Sequence, residues 1–184
     1  MSQAQYPVHT VDSAPDKSKA ALEGLEKNFG RVPNLAATMA SSPTLLNGFV
    51  SVFSHFHGGS FSAAERQLLL LTNAVANRSE WAVAFHSTLA LKEGVAPGDV
   101  QAIRQGRAPT DQKLAALVEL DRALLEQRGA VSEQQIAKLL QAGYASEQVL
   151  EVLAGLAVSV MANYAGNITR PPLEAPFAAQ AWQR

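Results

Sequence analysis

The sequence predicts an all-α fold, and three observations carry that prediction. Alanine and leucine supply much of an apolar content of 47%, while aromatic residues make up only 7%. Both residues lose little conformational freedom on entering a helix. Helix start and stop signals recur along the chain. No segment alternates apolar and polar residues with the period of two that a half-buried strand requires.

The signals define the elements in order. Asp16 opens an acidic first turn of a helix to Phe29, which Gly30 ends. A short helix follows over Asn34–Ala40. Ser42 and Pro43 form an N-cap and first helical position for a helix to Phe56, before Gly58 and Gly59. Ser62 and Glu65 make a capping box that starts Ala63–Asn77. The next two helices run over Glu80–Glu93, closed by Gly94, and Pro97–Gln105, closed by Gly106. Thr110, with Asp111 after it, is expected to cap Asp111–Gln127, where Leu114, Leu117, Val118, Leu124 and Leu125 form one apolar stripe. A second capping box, Ser132 with Gln135, starts Glu133–Gln141, bounded by Gly129 and Gly143. Ser146 is expected to cap the last helix, Glu147 to about Asn167. That helix is apolar nearly all round, which implies burial on most sides at the centre of a bundle or at a subunit interface. Short connections favour antiparallel neighbours.

The 184 residues suit one domain, read here as residues 16–168. Residues 1–15 form an extended arm, and residues 169–184 a proline-containing tail that wraps the surface. The net charge of −1 shows no basic stripe, so nucleic acid is not expected as a partner. The first 17 residues lack the apolar core of a signal peptide. The most apolar stretch, Val152–Ala165, is shorter than the roughly 20 residues that span a bilayer. A cytoplasmic protein with no membrane partner is the expectation. The chain contains no cysteine, which removes disulfides, thiolate metal sites and thiol catalysis together.

Among polar residues His86 is the leading candidate. Ser79, Ala82, Val83 and His86 share one helical face by their spacing, and that face would meet Gln67, Leu71 and Val75 of the preceding helix. A hydroxyl, an amide and an imidazole would then surround a small ligand space, with His86 as acid or base. A buried histidine bonded to a carbonyl or to Gln67 is the structural alternative. Glu80 fits the helix dipole in its first turn. Glu65 fits its capping box, and Arg66 a structural ion pair. His55 and His57 lie two apart on a helix, which points them in different directions. No metal or cofactor is expected. Trp81 and Phe85, four apart, are expected as core or interface anchors.

The segment Ser62–Gly94, with Glu65-Arg66, an aliphatic run, a short break and then His86, resembles the core of the carboxymuconolactone decarboxylase-like superfamily. That superfamily includes the alkylhydroperoxidase D (AhpD) proteins. Arg31-Val-Pro-Asn-Leu35 followed by Ser42-Pro43, together with Asn163-Tyr164, is similar to its peroxidase-related branch. The resemblance implies an AhpD-like helical bundle assembled as a trimer or hexamer, and oxidoreductase chemistry of the peroxidase type. Redox-active members use a glutamate, a C-x-x-C pair and a histidine. Counting back from His86, those positions are Gln67, Ser79 and Ala82, so only the histidine remains. Attack on a peroxide bond needs a thiolate, and serine and alanine supply none. Three readings follow: a divergent member without thiol peroxidase activity, a non-catalytic oligomeric binding or scaffold protein, and a thiol-independent decarboxylase- or lactone-type enzyme using His86. Candidate site residues are therefore His86, Glu80, Gln67 and Ser79.

Overall fold

The computed structural model describes residues 6–183, and no strand occurs among them. Residues 1–5 of the expected N-terminal arm, and Arg184 of the tail, lie outside the described residues. The helices are α1 (Asp16–Phe29), α2 (Asn34–Met39), α3 (Pro43–His57), α4 (Ala63–Ala76), α5 (Glu80–Lys92), α6 (Pro97–Arg104), α7 (Gln112–Glu126), α8 (Glu133–Gln141) and α9 (Ser146–Thr169). A 3₁₀ segment, Ala175–Gln180, follows them, with Pro176 in its first turn.

Three starts form as their residues dictate. Ser42 accepts from the Leu45 amide, and both capping boxes close reciprocally. Two differ. Thr110 does not cap α7; its amide and hydroxyl both donate to the buried Asp99 carboxylate, and Asp111 takes the capping role instead. Ser146 lies inside α9, whose start is held by Gln148 accepting from the Ala145 amide.

Helix α4 is the hub. It packs against α5, α6, α7 and α9, so its whole circumference is covered. Leu68, Leu69, Leu70 and Leu71 are accordingly all buried. Four successive positions sweep round a helix at 3.6 residues per turn, so only an element enclosed on every side buries all of them. Full burial of each leucine contributes about 1.5–3 kcal/mol.

Helix α9 is less enclosed than its composition suggests. Val152, Gly155, Val158, Ser159, Ala162 and Asn163 face inward, yet Leu150 is 67% exposed and Ile168 66%. Leu153 and Tyr164 are exposed with them. At Gly155 an added Cβ would lie 3.0 Å from the Phe56 ring, so the missing side chain sets how closely α3 approaches. The helix reaches 24 residues, longer than its apolar run, and by length and composition alone it could cross a membrane. In this fold it packs on α2, α3, α4 and α5.

One polar pair lies in the core where the sequence suggests only a stripe of leucines. Asp121 on α7 and Asn73 on α4 are both fully buried. Their side-chain oxygens and the Asn73 amide nitrogen lack a well-formed hydrogen bond among the described residues. Burial raises the Asp121 carboxyl well above its ordinary value, and contact with Asn73 and the charge of Arg122 offset this only in part. A carboxyl raised in the folded state stabilises fully below its unfolded value of 3.8, and that contribution is lost as pH rises. Asp121→Asn keeps the shape and removes the titration. Thermal melts across pH should find it more stable than the parent at neutral pH, with the gap widening at higher pH and closing in acid; a pH-independent gap would refute this origin.

Candidate functional site

The α4–α5 hairpin sets the geometry. Arg78, in the left-handed conformation (φ 52°), turns the chain between the two helices. Ser79 occupies the N-cap of α5 without capping it. The hairpin brings Gln67 opposite His86, whose Nδ1 lies 2.9 Å from Gln67 Oε1. A carbonyl oxygen only accepts, so Nδ1 carries the proton and Nε2 is left as an acceptor.

His86 keeps slight solvent contact but is packed by protein on nearly every side. That desolvation lowers its pKa to about 3, with the nearby His57 adding to the effect. The ring is therefore neutral at physiological pH. It lines a cavity of about 40 Å³ together with Phe29, Phe53, Trp81, Ala82, Phe85 and Ser159 among others. The walls are aromatic and mutually braced: Trp81 stacks on Phe85 at 4.8 Å, and Phe29 meets both Phe53 and Phe85 at about 6 Å.

Ser79 and Glu80 stand elsewhere. Both line a separate, more polar cavity of about 370 Å³ with Asn167 and Arg170. Ser79 is buried there, its hydroxyl 3.4 Å from where a Cβ on Gly166 would sit. Trp81 contributes to both cavities, so Ser79 and Ala82 open onto different spaces. Of the four candidates, the fold brings together His86 and Gln67. The expected shared face thus divides at Trp81.

Other expectations are altered. Arg66 donates to the Phe61 carbonyl rather than to a carboxylate, and the ion pair of this region joins Glu65 to Lys113 at 3.3 Å. His55 and His57 each donate Nδ1 to the carbonyl four residues earlier, on Ser51 and Phe53. No cluster of three metal-ligating side chains occurs among the described residues. His57 instead stacks on Phe53 at 3.9 Å, behind the cavity wall. Burial holds its pKa below the ordinary value, and the Arg66 charge lowers it further. Sequence reasoning missed Phe29, Phe49, Phe53 and Ser159 as cavity residues. The signal for part of the set was present, since Phe49, Phe53 and His57 recur at intervals of four.

Residues 43–121, which include this hairpin, match the profile of the carboxymuconolactone decarboxylase family. Over that stretch the chain is similar to that family. Solved structures agree on the fold. An uncharacterized peroxidase-related protein with an AhpD core from Ralstonia eutropha JMP134 is 18% identical, with 96% of this chain and 95% of that one covered at a TM-score of 0.83. A peroxidase-related protein from Silicibacter sp. TM1040 is 16% identical, with coverages of 97% and 94% and a TM-score of 0.79. The debrominase Bmp8 is 19% identical, with coverages of 98% and 97% and a TM-score of 0.78. A cysteine-to-alanine variant of Bmp8 is known in complex with 2,3,4-tribromopyrrole. No curated protein matches by sequence. Unlike the redox-active proteins of that family, the chain contains no cysteine.

The lowered pKa of His86 has a definite consequence. As pH falls below 6.5 the unfolded chain takes up a proton that the folded ring refuses until about 3. His86 thus stabilises the fold above 6.5, and that contribution is lost as pH falls through this window. Imidazole NMR signals of His86 should stay those of a neutral Nδ1–H ring from about pH 8 down to about pH 5. A midpoint within that range would disprove the buried environment.

Proposed function

We propose that this chain binds a small, apolar, planar molecule with one N–H or O–H group in the cavity beside His86, and that it does not reduce peroxides by thiol chemistry. The carrying observation is His86 itself: neutral, oriented by Gln67, and set among aromatic walls with an acceptor nitrogen remaining. Aromatic walls favour a flat apolar ring, and one acceptor favours a single donor on that ring. The tribromopyrrole held by the structurally similar Bmp8 variant has this character. It supports the ligand class.

The chemistry of the walls supports the second half. Peroxide reduction in the redox-active relatives passes through a sulfenic acid, and this chain has no sulfur nucleophile to form one. A histidine with a pKa near 3 is a weak base at neutral pH, so hydrogen-bond acceptance suits it better than proton abstraction. Glu80 lines the other cavity, which weakens the case for it as an acid–base partner of His86.

Calorimetric titration with pyrrole should give saturable binding, weakened about tenfold by His86→Phe, which keeps the bulk and removes the acceptor. Absence of binding, or equal affinity in the variant, would sink the proposal. Peroxide consumption with a dithiol reductant should not exceed the buffer rate.

The exposed Leu150, Leu153, Tyr164 and Ile168 favour a homo-oligomer, because a face of this kind is costly to leave in water. Sedimentation should find a multimer that Leu153→Glu dissociates. A parent chain that sediments as a monomer would end that part of the reading.

A further inference from the structure

We infer that Glu174 sets the upper size limit of the molecule that the His86 cavity admits, by clamping the C-terminal segment onto the cavity's outer wall. This rests on the reading of that cavity as a ligand site. The Glu174 carboxylate uses both oxygens. Oε2 accepts from the Trp81 indole Nε1–H at 2.7 Å, and Oε1 accepts from the Asn34 backbone N–H at 2.7 Å. Both bonds are short and charge-assisted, the stronger class of hydrogen bond. Trp81 belongs to the cavity wall on α5, and Asn34 begins α2, whose Leu35 and Ala36 form another wall. A single side chain therefore ties two walls to the segment that covers them.

The rest of the segment is fastened on either side of that point. Asn34 Nδ2 donates to the Pro172 carbonyl at 2.9 Å. Arg104 donates to the carbonyls of Gln180 and Ala181 at 2.9 and 3.0 Å. Between these anchors Phe177 stands edge-on to Phe85 at 5.0 Å and to Trp81 at 6.2 Å, backing the stacked pair from outside. A second hollow, of about 230 Å³, lies between the segment and the helices, bounded by Phe29, Phe85, Glu174 and Phe177. Phe29 and Phe85 line both hollows. The inner space is about 40 Å³, less than a single aromatic ring fills, so any ring must displace a wall. While Glu174 holds, that displacement is limited to side chains. Once it is released, Trp81, Phe85 and Phe177 can move outward and the two hollows can join.

The test uses the full chain. Trp81 and Trp182 are its two tryptophans, so Trp182→Phe leaves a single indole N–H resonance. Glu174→Ala should move that resonance and speed its exchange with water. Titrations with pyrrole and with indole then read size selection. The parent should favour pyrrole, and Glu174→Ala should shift the preference toward indole by about tenfold. Phe177→Ala leaves both Glu174 bonds intact and removes only the backing ring, so it should produce the same shift even if loss of the carboxylate impairs folding. An unmoved resonance in Glu174→Ala would overturn the clamp. An unchanged pyrrole-to-indole ratio in both variants, with pyrrole still bound, would overturn size selection alone. If no protein binds either ring, the ligand-site reading falls and size selection falls with it.

Discussion

Enclosure of α4 is the constraint on which the rest depends. A helix covered on every side has no face to give to water, so each polar group it carries must find a partner among its neighbours or stand unsatisfied. Gln67 finds His86, and in doing so fixes the tautomer and the ring plane of the imidazole. Asn73 meets Asp121, whose carboxyl burial raises well above its ordinary value, with Asn73 and the Arg122 charge offsetting this only in part. The two polar contacts differ in kind: one is a well-formed bond at the edge of a cavity, the other an imperfect one in the core. That difference separates a group that lines a cavity from one that serves the packing of α4 on α7.

The helices were legible because their ends are written in local chemistry. Ser42, Ser62 and Ser132 satisfy amides within three residues of themselves, so no distant partner is needed to recognise them. Thr110 was misread for the converse reason. Its hydroxyl is claimed by Asp99, a residue on the preceding helix whose burial demands donors, and no local pattern announces that demand. The pairing of Gln67 with His86 was readable because both belong to one hairpin, where spacing fixes the face. Cavity walls from α1, α3 and α9 were not, since Phe29, Phe53 and Ser159 meet only through tertiary packing. The exposure of Leu150 and Ile168 was also hidden: composition records how apolar a helix is, but not how many neighbours reach it.

The two positions that the resemblance places at the redox-active proteins' thiols, Ser79 and Ala82, do different things here. Ala82 has become part of an apolar wall, adding no polar atom to the space in front of His86. Ser79 faces the polar cavity near Gly166 and leaves the start of α5 uncapped. In a redox-active site a nearby thiolate and a titrating relay would favour an imidazole that changes charge. Without them, nothing at the site opposes desolvation, and the ring settles as a neutral group far below its usual pKa. Loss of sulfur therefore changes more than one reaction step. On the reading proposed above, the histidine serves as a fixed hydrogen-bond acceptor in place of a proton carrier.

An acceptor of fixed orientation is useful only if the space before it has a defined shape, and here the shape comes from outside the α4–α5 hairpin. On the outer side of the stacked Trp81 and Phe85 stands the C-terminal segment, through Glu174 and Phe177. Such a segment is held by the two Glu174 bonds, the Asn34 and Arg104 bonds to its carbonyls and a few apolar contacts, whereas α5 itself is held by the core. The weaker element is the one that yields first when a ligand presses outward. On the ligand-site reading proposed above, selectivity at this cavity would depend on the strength of one carboxylate's two bonds, and the orientation of the bound molecule on the Gln67–His86 pair.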